Sequence, residues 1–329
     1  MPPGIGASAA LGFAFEDTLG VYTPPDIWIP ILEESLVYTE DKYYSQQLRQ
    51  QVTDSEVLPS YYHVEGDIRL EVDVNYLPYL MFCSRHTIAF ASGVYSFTPN
   101  IAGATSTAAS GLVQRTCSLT MLRNGAYFGY TGCTMGGYEF SVDTDEGVLM
   151  ATMNVMGNGE EDGSGTTSWI APELFGADCH RVSVDTAGVS PAFATPSQDF
   201  NGFTFRANHN PEPQNRLIPQ RKAVFTKFGK TDFSVESELD FIDKTEYNNF
   251  KAAAVKAFQF ESRRPGNAVS FAAATEAIRI TTYRAAYDRY DISVDDIASI
   301  IIGGFEGHGL NITGGDAYKI EIKSPVTIT

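Results

Sequence analysis

The stretch GDIRLEVDVNY, residues 66–76, alternates apolar and polar side chains without a break. Ile68, Leu70, Val72 and Val74 fall on one side, and Asp67, Arg69, Glu71 and Asp73 on the other. That is the period of a strand with one buried face. The stretch TDFSVESELDF, residues 231–241, repeats the pattern. Phe233, Val235 and Leu239 point inward, and Asp232, Ser234, Glu236 and Glu238 outward. The two superimpose at a shift of 165 residues, half of a 329-residue chain.

The neighbouring segments follow the same order. After the first strand, Asn75 is placed to cap a helix over 76–85, with Pro78 in its first turn. After the second, DKTE at 243–246 reads as a capping box, and Tyr247, Phe250, Ala254, Val255 and Phe258 form a helical stripe. Each strand is preceded by a polar stretch, 39–62 and 206–222, that leaves an earlier strand. CSLTML at 117–122 matches IRITTY at 278–283, with Tyr127 and Tyr130 echoed by Tyr287 and Tyr290. Each half closes on a strand pair. In the first, 137–142 and 148–155 flank a turn at 143–147; in the second, 297–302 and 317–322 flank the glycine-rich 303–315. Four elements in one order at similar shifts read as an internal repeat. The expectation is a mainly β (α+β) chain of two tandem units, 1–160 and 161–329, each with one flanking α-helix. They join at the glycine-rich, acidic stretch 157–165.

Composition excludes several functions. The chain carries 40 acidic and 23 basic residues, a net charge of −17, which argues against a protein built to grip phosphate. Residues 1–164 hold 20 acids and 6 bases, a net of −14, and residues 165–329 hold 20 and 17, a net of −3. Arginine outnumbers lysine 14 to 9, which together with the acid surplus permits a salt-rich source. The hydrophobic fraction of 43% supports well-buried cores and rules out wholesale disorder. Cys83, Cys117, Cys133 and Cys179 have no CxxC spacing, so they read as buried thiols in a reducing compartment rather than zinc ligands or a disulfide framework. The N-terminus lacks the basic region of a signal peptide, and the longest apolar run, 297–305, is too short to span a bilayer; a soluble protein is expected.

No reaction is legible. The five histidines, His63, His86, His180, His209 and His308, are scattered, and Ser164 between two glycines is not the GxSxG of a nucleophile elbow. Cys179 and His180 are adjacent in sequence, which does not turn their side chains toward each other. DTDEG at 143–147 lacks the ligand spacing of a calcium loop, and the acidic run 160–162 reads as a solvated loop. The glycine-rich 303–309 follows no βαβ pattern. No cofactor, metal or catalytic residue is expected.

The sharpest signal lies at the N-terminus. GIGASAALGFAFEDTLG at 4–20 is followed by TPPDIWIPILEESL at 23–36; SQQLR at 45–49, VEGD at 64–67, SFTP at 96–99 and YTGC at 130–133 come later. This pattern resembles the tail tube (major tail) proteins of long-tailed phages and related tailed viruses, over most of 4–157 and more loosely to the end. The resemblance implies β-sandwich or barrel units whose strands join those of neighbours into a continuous tube. It implies a virion structural protein, made in the host cytoplasm, that self-assembles into stacked rings around a tape-measure protein. Tail terminator and baseplate proteins are the further partners, no membrane is involved, and double-stranded DNA passes without specific binding. Two units per chain imply three chains per ring with pseudo-sixfold symmetry, six being the alternative. Asp67, Glu71, Asp73, Asp232, Glu236 and Glu238 are the expected lumen-facing set. The N-terminal arm, residues 1–24, and the loops 39–62 and 206–222 are expected to hold the stacked rings together, the loops carrying Glu40, Asp41, Lys42, Arg49, Arg206, Arg216 and Arg221. The rival reading is a non-catalytic β-sandwich binding module of a baseplate or receptor-binding assembly, which needs an exposed aromatic platform; Trp28 and Trp169 are the only tryptophans.

Overall fold

The computed structural model describes residues 9–45, 57–99, 115–169, 172–193, 196–197, 200–217, 219–240, 245–293, 302–311 and 316–328. Strands β1 (Ala10–Phe15), β2 (Ile27–Ile29), β3 (Glu33–Glu34), β4 (Val37–Tyr44) and β5 (Val57–Glu71) lead to helix α1 (Leu77–Phe82). Next come β6 (His86–Ala91), β7 (Val94–Pro99), β8 (Cys117–Arg123), β9 (Ala126–Asp143), β10 (Met150–Gly157) and β11 (Gly159–Asp162). β12 (His180–Thr186), β13 (Gly202–Asn208), β14 (Pro211–Gln214), β15 (Phe225–Phe228) and β16 (Asp232–Asp240) lead to helix α2 (Thr245–Lys251). The chain continues through β17 (Val255–Arg264), β18 (Glu276–Ser293), β19 (Ile302–Gly309) and β20 (Tyr318–Lys323). The fold is mainly β, and its described helices are one to two turns long.

A continuous antiparallel run organises the molecule. β3 and β4 pair with β5, β5 with β10, β10 with β9, β9 with β13, β13 with β16, β16 with β19, and β19 with β18. The two long strands, β9 and β18, serve two layers. The first half of β9 pairs with β8, which pairs with β1; the first half of β18 pairs with β17, which pairs with β12. The ladder sequence β1–β8–β9–β10–β5–β4 thus recurs as β12–β17–β18–β19–β16–β13. The ladders match β8 to β17 and β9 to β18. They therefore differ from the sequence match of 117–122 with 278–283, which aligns a strand of one role with a strand of another.

Alternation explains the packing. Ile68, Leu70, Phe233 and Val235 turn into one core that also takes Leu11, Phe13, Tyr138, Phe140, Phe205 and Tyr318, so the buried cluster runs through both halves of the chain. β20 links the halves again, pairing with β18 on one side and β7 on the other. Past it, Ser324 Oγ donates to Val74 O (2.8 Å), and Tyr95 Oη donates to Val326 O (3.1 Å) while accepting from Ile328 N (2.7 Å).

Several expected elements end differently. α1 spans 77–82 rather than 76–85, and its cap is Tyr76, with no side-chain cap bond, rather than Asn75. α2 stops at Lys251, Ala253 takes φ +48°, and the stripe carried on to Phe258 is strand β17, where Phe258 and Phe260 are buried with period two. Asp243 of the expected capping box lies outside the described residues. The turn at 143–147 forms as expected, with Asp143 accepting from the Gly147 and Glu146 amides. The glycine-rich 303–309 is not a loop but most of β19. A side chain at Gly309 would collide with the Phe233 ring, so the bare backbone is what lets this strand lie over β16. The described parts of the polar stretch 39–62 are mostly strand too, at 39–44 and 57–62, because β4 and β5 stay paired well beyond the run.

Candidate functional site

The register of the run lines up one polar face. Across it, Glu71 stands opposite Met150, Met150 opposite Ser141, Ser141 opposite Thr204, Thr204 opposite Glu236 and Glu236 opposite Glu306. Two residues along each strand, Arg69, Thr152, Glu139, Arg206, Ser234 and His308 form a second row. A third begins Asp67, Asn154, Gly137, Asn208 and Asp232. Five of the six expected lumen candidates, Asp67, Glu71, Asp232, Glu236 and Glu238, therefore share one face of one sheet.

Asp73 does not. β5 ends at Glu71, and Asp73 is only 1% exposed. One carboxylate oxygen accepts from the Asn75 amide (2.7 Å) and the other from the Glu173 amide (2.8 Å), while its carbonyl accepts from the Leu77 amide (3.0 Å). Asp73 is the turn residue that starts α1, the work an Asp side chain does by bonding the backbone two residues on. Burial raises its pKa above the ordinary carboxylate value, against the pull of the amides.

Cations offset part of the acid on this face. Arg206 bridges Glu139 (2.5 Å) and Glu236 across adjacent strands, and Lys230 holds Asp232 (2.7 Å), lowering the Asp232 pKa. In the first half, Asp67 meets a neutral partner, the Asn154 amide (3.1 Å). Arg206, expected in the second inter-ring loop, is instead a strand residue of this face.

The two expected loops meet. Arg221 forms an ion pair with Glu40, donates to Ser60 O (2.8 Å) and lies over the Tyr62 ring (5.8 Å). The Tyr62 amide donates to Arg221 O (3.0 Å), and Tyr61 Oη donates to Arg216 O (3.2 Å). Asp41 and Lys42 are exposed on β4, Asp41 at a bulge, and Arg49 lies outside the described residues. The hairpin also exposes Val37, Tyr38, Tyr43, Tyr44, Val57 and Leu58. Spacing alone concealed this surface, because a strand polar on both faces reads as a loop.

The N-terminal motif has a structural core of its own. Buried Glu16 accepts from the amides of Gly20 (2.9 Å) and Gly132 (2.6 Å) and from the hydroxyls of Thr116 (2.8 Å) and Ser118 (3.0 Å). It thereby fixes the start of the chain to β8 and β9. Gly20 and Gly132 both have left-handed φ, +73° and +62°, which a side chain would strain. Trp28 is buried against Tyr127 (6.3 Å) and Trp169 (6.5 Å), so it is core rather than an aromatic platform. Among the described residues, no group of three or more His, Cys, Asp or Glu side chains could hold a metal ion, and no helix is long and apolar enough to cross a membrane.

The family model described as phage tail tube protein matches residues 6–321, nearly the whole chain. The chain belongs to the phage tail tube protein family. It is a structural component of a virion tail, which accords with a described surface built of ladders and ion pairs. No curated protein matches the sequence.

Proposed function

We propose that the chain assembles with copies of itself into stacked rings, forming the hollow tube through which double-stranded DNA leaves the virion, with the polar face of the run toward the lumen. The recurrence of the ladder order supports this reading. One chain supplies two blocks of four neighbouring antiparallel strands, β4–β5–β10–β9 and β13–β16–β19–β18, in the manner of two copies of one unit. Three chains then contribute roughly 24 strands, which at ~4.8 Å spacing and ~40° tilt close at a diameter of about 50 Å. That leaves room for a double helix once side chains line the wall. Six chains give about twice the diameter, so the ring holds three chains with pseudo-sixfold symmetry. A tape-measure protein occupies the lumen before ejection, and terminator and baseplate proteins close the ends.

A surface rich in carboxylates repels phosphate at contact range and keeps DNA from sticking, because both carry negative charge. Images of self-assembled tubes in cross-section test the ring: three chains per ring are expected, and six whole chains per ring overturn it. Replacing Glu71 and Glu236 by Lys tests the lumen. Ejection slows at least several-fold in tubes of normal length if this face lines the channel; unchanged ejection removes both residues from the wall.

A further inference from the structure

The ladder β12–β17–β18–β20 has a polar face of its own. Its register sets Arg181 opposite Glu261, Glu261 opposite Arg279 and Arg279 opposite Glu321. Arg263 follows Glu261 by two residues on β17, so it points to the same side and lies diagonally between Arg181 and Arg279. Residues 265–275 cross this face as a cover. Phe271 lies on the Arg279 guanidinium (4.1 Å) and is buried with Ala274 and Ala277. Gly266 O accepts from Arg181, and Ala272 O accepts from Lys323 (2.8 Å).

The acids here are already engaged. Glu321 accepts from Arg279 (3.2 Å) and Lys319 (2.8 Å), and Glu261 accepts from Arg279 (2.6 Å). Arg181 spends its other donor on Cys179 O (2.8 Å). Arg263 is left with the least. Its side chain is only 8% exposed, and its one ion-pair partner is the shared Glu261, at 3.3 Å and outside hydrogen-bonding geometry. It donates no hydrogen bond to any described residue. The cover, PGNAVSFAAAT, brings no acid, and the exposed Asp178 beside Gly266 forms no ion pair with it. Burial, and after it Arg181, hold the Arg263 pKa below the ordinary guanidinium value, yet an arginine cannot shed its charge. A buried guanidinium normally has its donors matched.

We infer that Arg263, with Arg181, forms a binding site for a small tetrahedral oxyanion, phosphate or sulfate, beneath residues 265–275. The planar fork of donors matches two oxygens of such an anion. The surplus of cations over free acids sets the charge of the ligand, and the cover sets its size. A side chain 8% exposed admits a small ion and excludes a nucleic-acid backbone, which the net charge of −17 repels in any case. The site is independent of the tube reading and would tie the cover to the sheet.

Equilibrium dialysis of the full chain against radiolabelled inorganic phosphate, in chloride buffer at fixed ionic strength, tests it. The expected result is saturable uptake of about one phosphate per chain, displaced by unlabelled sulfate and weakened at least about tenfold in Arg263→Met. That variant should fold, because Met keeps an apolar stem and removes a buried charge that lacks a full partner. Arg181→Met is the second variant and should weaken uptake in the same direction. No saturable uptake by the wild type, or undiminished uptake by Arg263→Met, overturns the site. Should Arg263→Met not fold, undiminished uptake by Arg181→Met overturns it.

Discussion

Glu16 shows how a single carboxylate can organise a terminus. Its four donors come from Thr116 just before β8, from β8, from β9 and from the turn at Gly20, and each loses that acceptor if the side chain is removed. Glu16→Ala should cost about 3 kcal/mol, read as a lowered denaturation midpoint at unchanged slope. The buried histidines make a second prediction. His86 Nε2 donates to Tyr138 Oη (2.9 Å), which donates to Tyr318 Oη (2.8 Å), and the His86 and His209 rings lie 5.4 Å apart. Burial holds His86 well below its ordinary pKa, with His209 adding to the effect; burial takes His209 down to about 3, and lowers His180 as well. His86 and His209 are neutral in the fold near pH 6, whereas the unfolded chain protonates them below about 6.5. Their contribution is therefore complete above pH 6.5 and is lost as pH falls. Denaturation of the unassembled chain between pH 7.5 and 5 should show stability falling by up to ~1.4 kcal/mol per pH unit for each histidine. The double variant His86→Gln, His209→Gln should flatten that slope.

At the scale of elements, period two was legible and the limits of the strands were not. The alternation at 66–71 and 232–236 correctly predicts β5 and β16 and the polar side of each, while their meeting on one face of one sheet was not legible. It overreaches at Asp73, where the chain leaves the sheet and the same carboxylate serves a turn. The helical stripe fails beyond 254: VKAFQF, residues 255–260, satisfies both a helical stripe and a strand, and burial of Phe258 and Phe260 on one side decides for the strand. Glu139 and Arg206 were missed as partners because their contact depends on which strands become neighbours, information absent from either segment. Gly66 marks the point where β5 passes from the run into the hairpin. Its φ is +152°, and a Cβ there would sit 2.5 Å from Ser35 O. Gly66→Ala should destabilise the chain by about 2 kcal/mol and loosen residues 31–38, measurable as faster amide exchange there.

The whole molecule behaves as one body where the sequence reads as two. Tyr138 and Phe140 of the first half lie against Phe205 and Tyr318 of the second in a single core, and β13 is seated on β9. The unassembled chain should therefore unfold in one calorimetric transition; two resolved transitions would show that the halves hold themselves up separately. What the sequence pattern could not disclose is this docking, since the alternation within one segment says nothing of which distant strand it will lean on.

The placement of β20 has a consequence in time. β7 receives its outer neighbour only when residues 318–323 arrive, and these follow every other described strand out of the ribosome. A growing chain thus carries a raw flank beside α1 until these residues emerge, and Ser324, Val326 and Ile328 latch it afterwards.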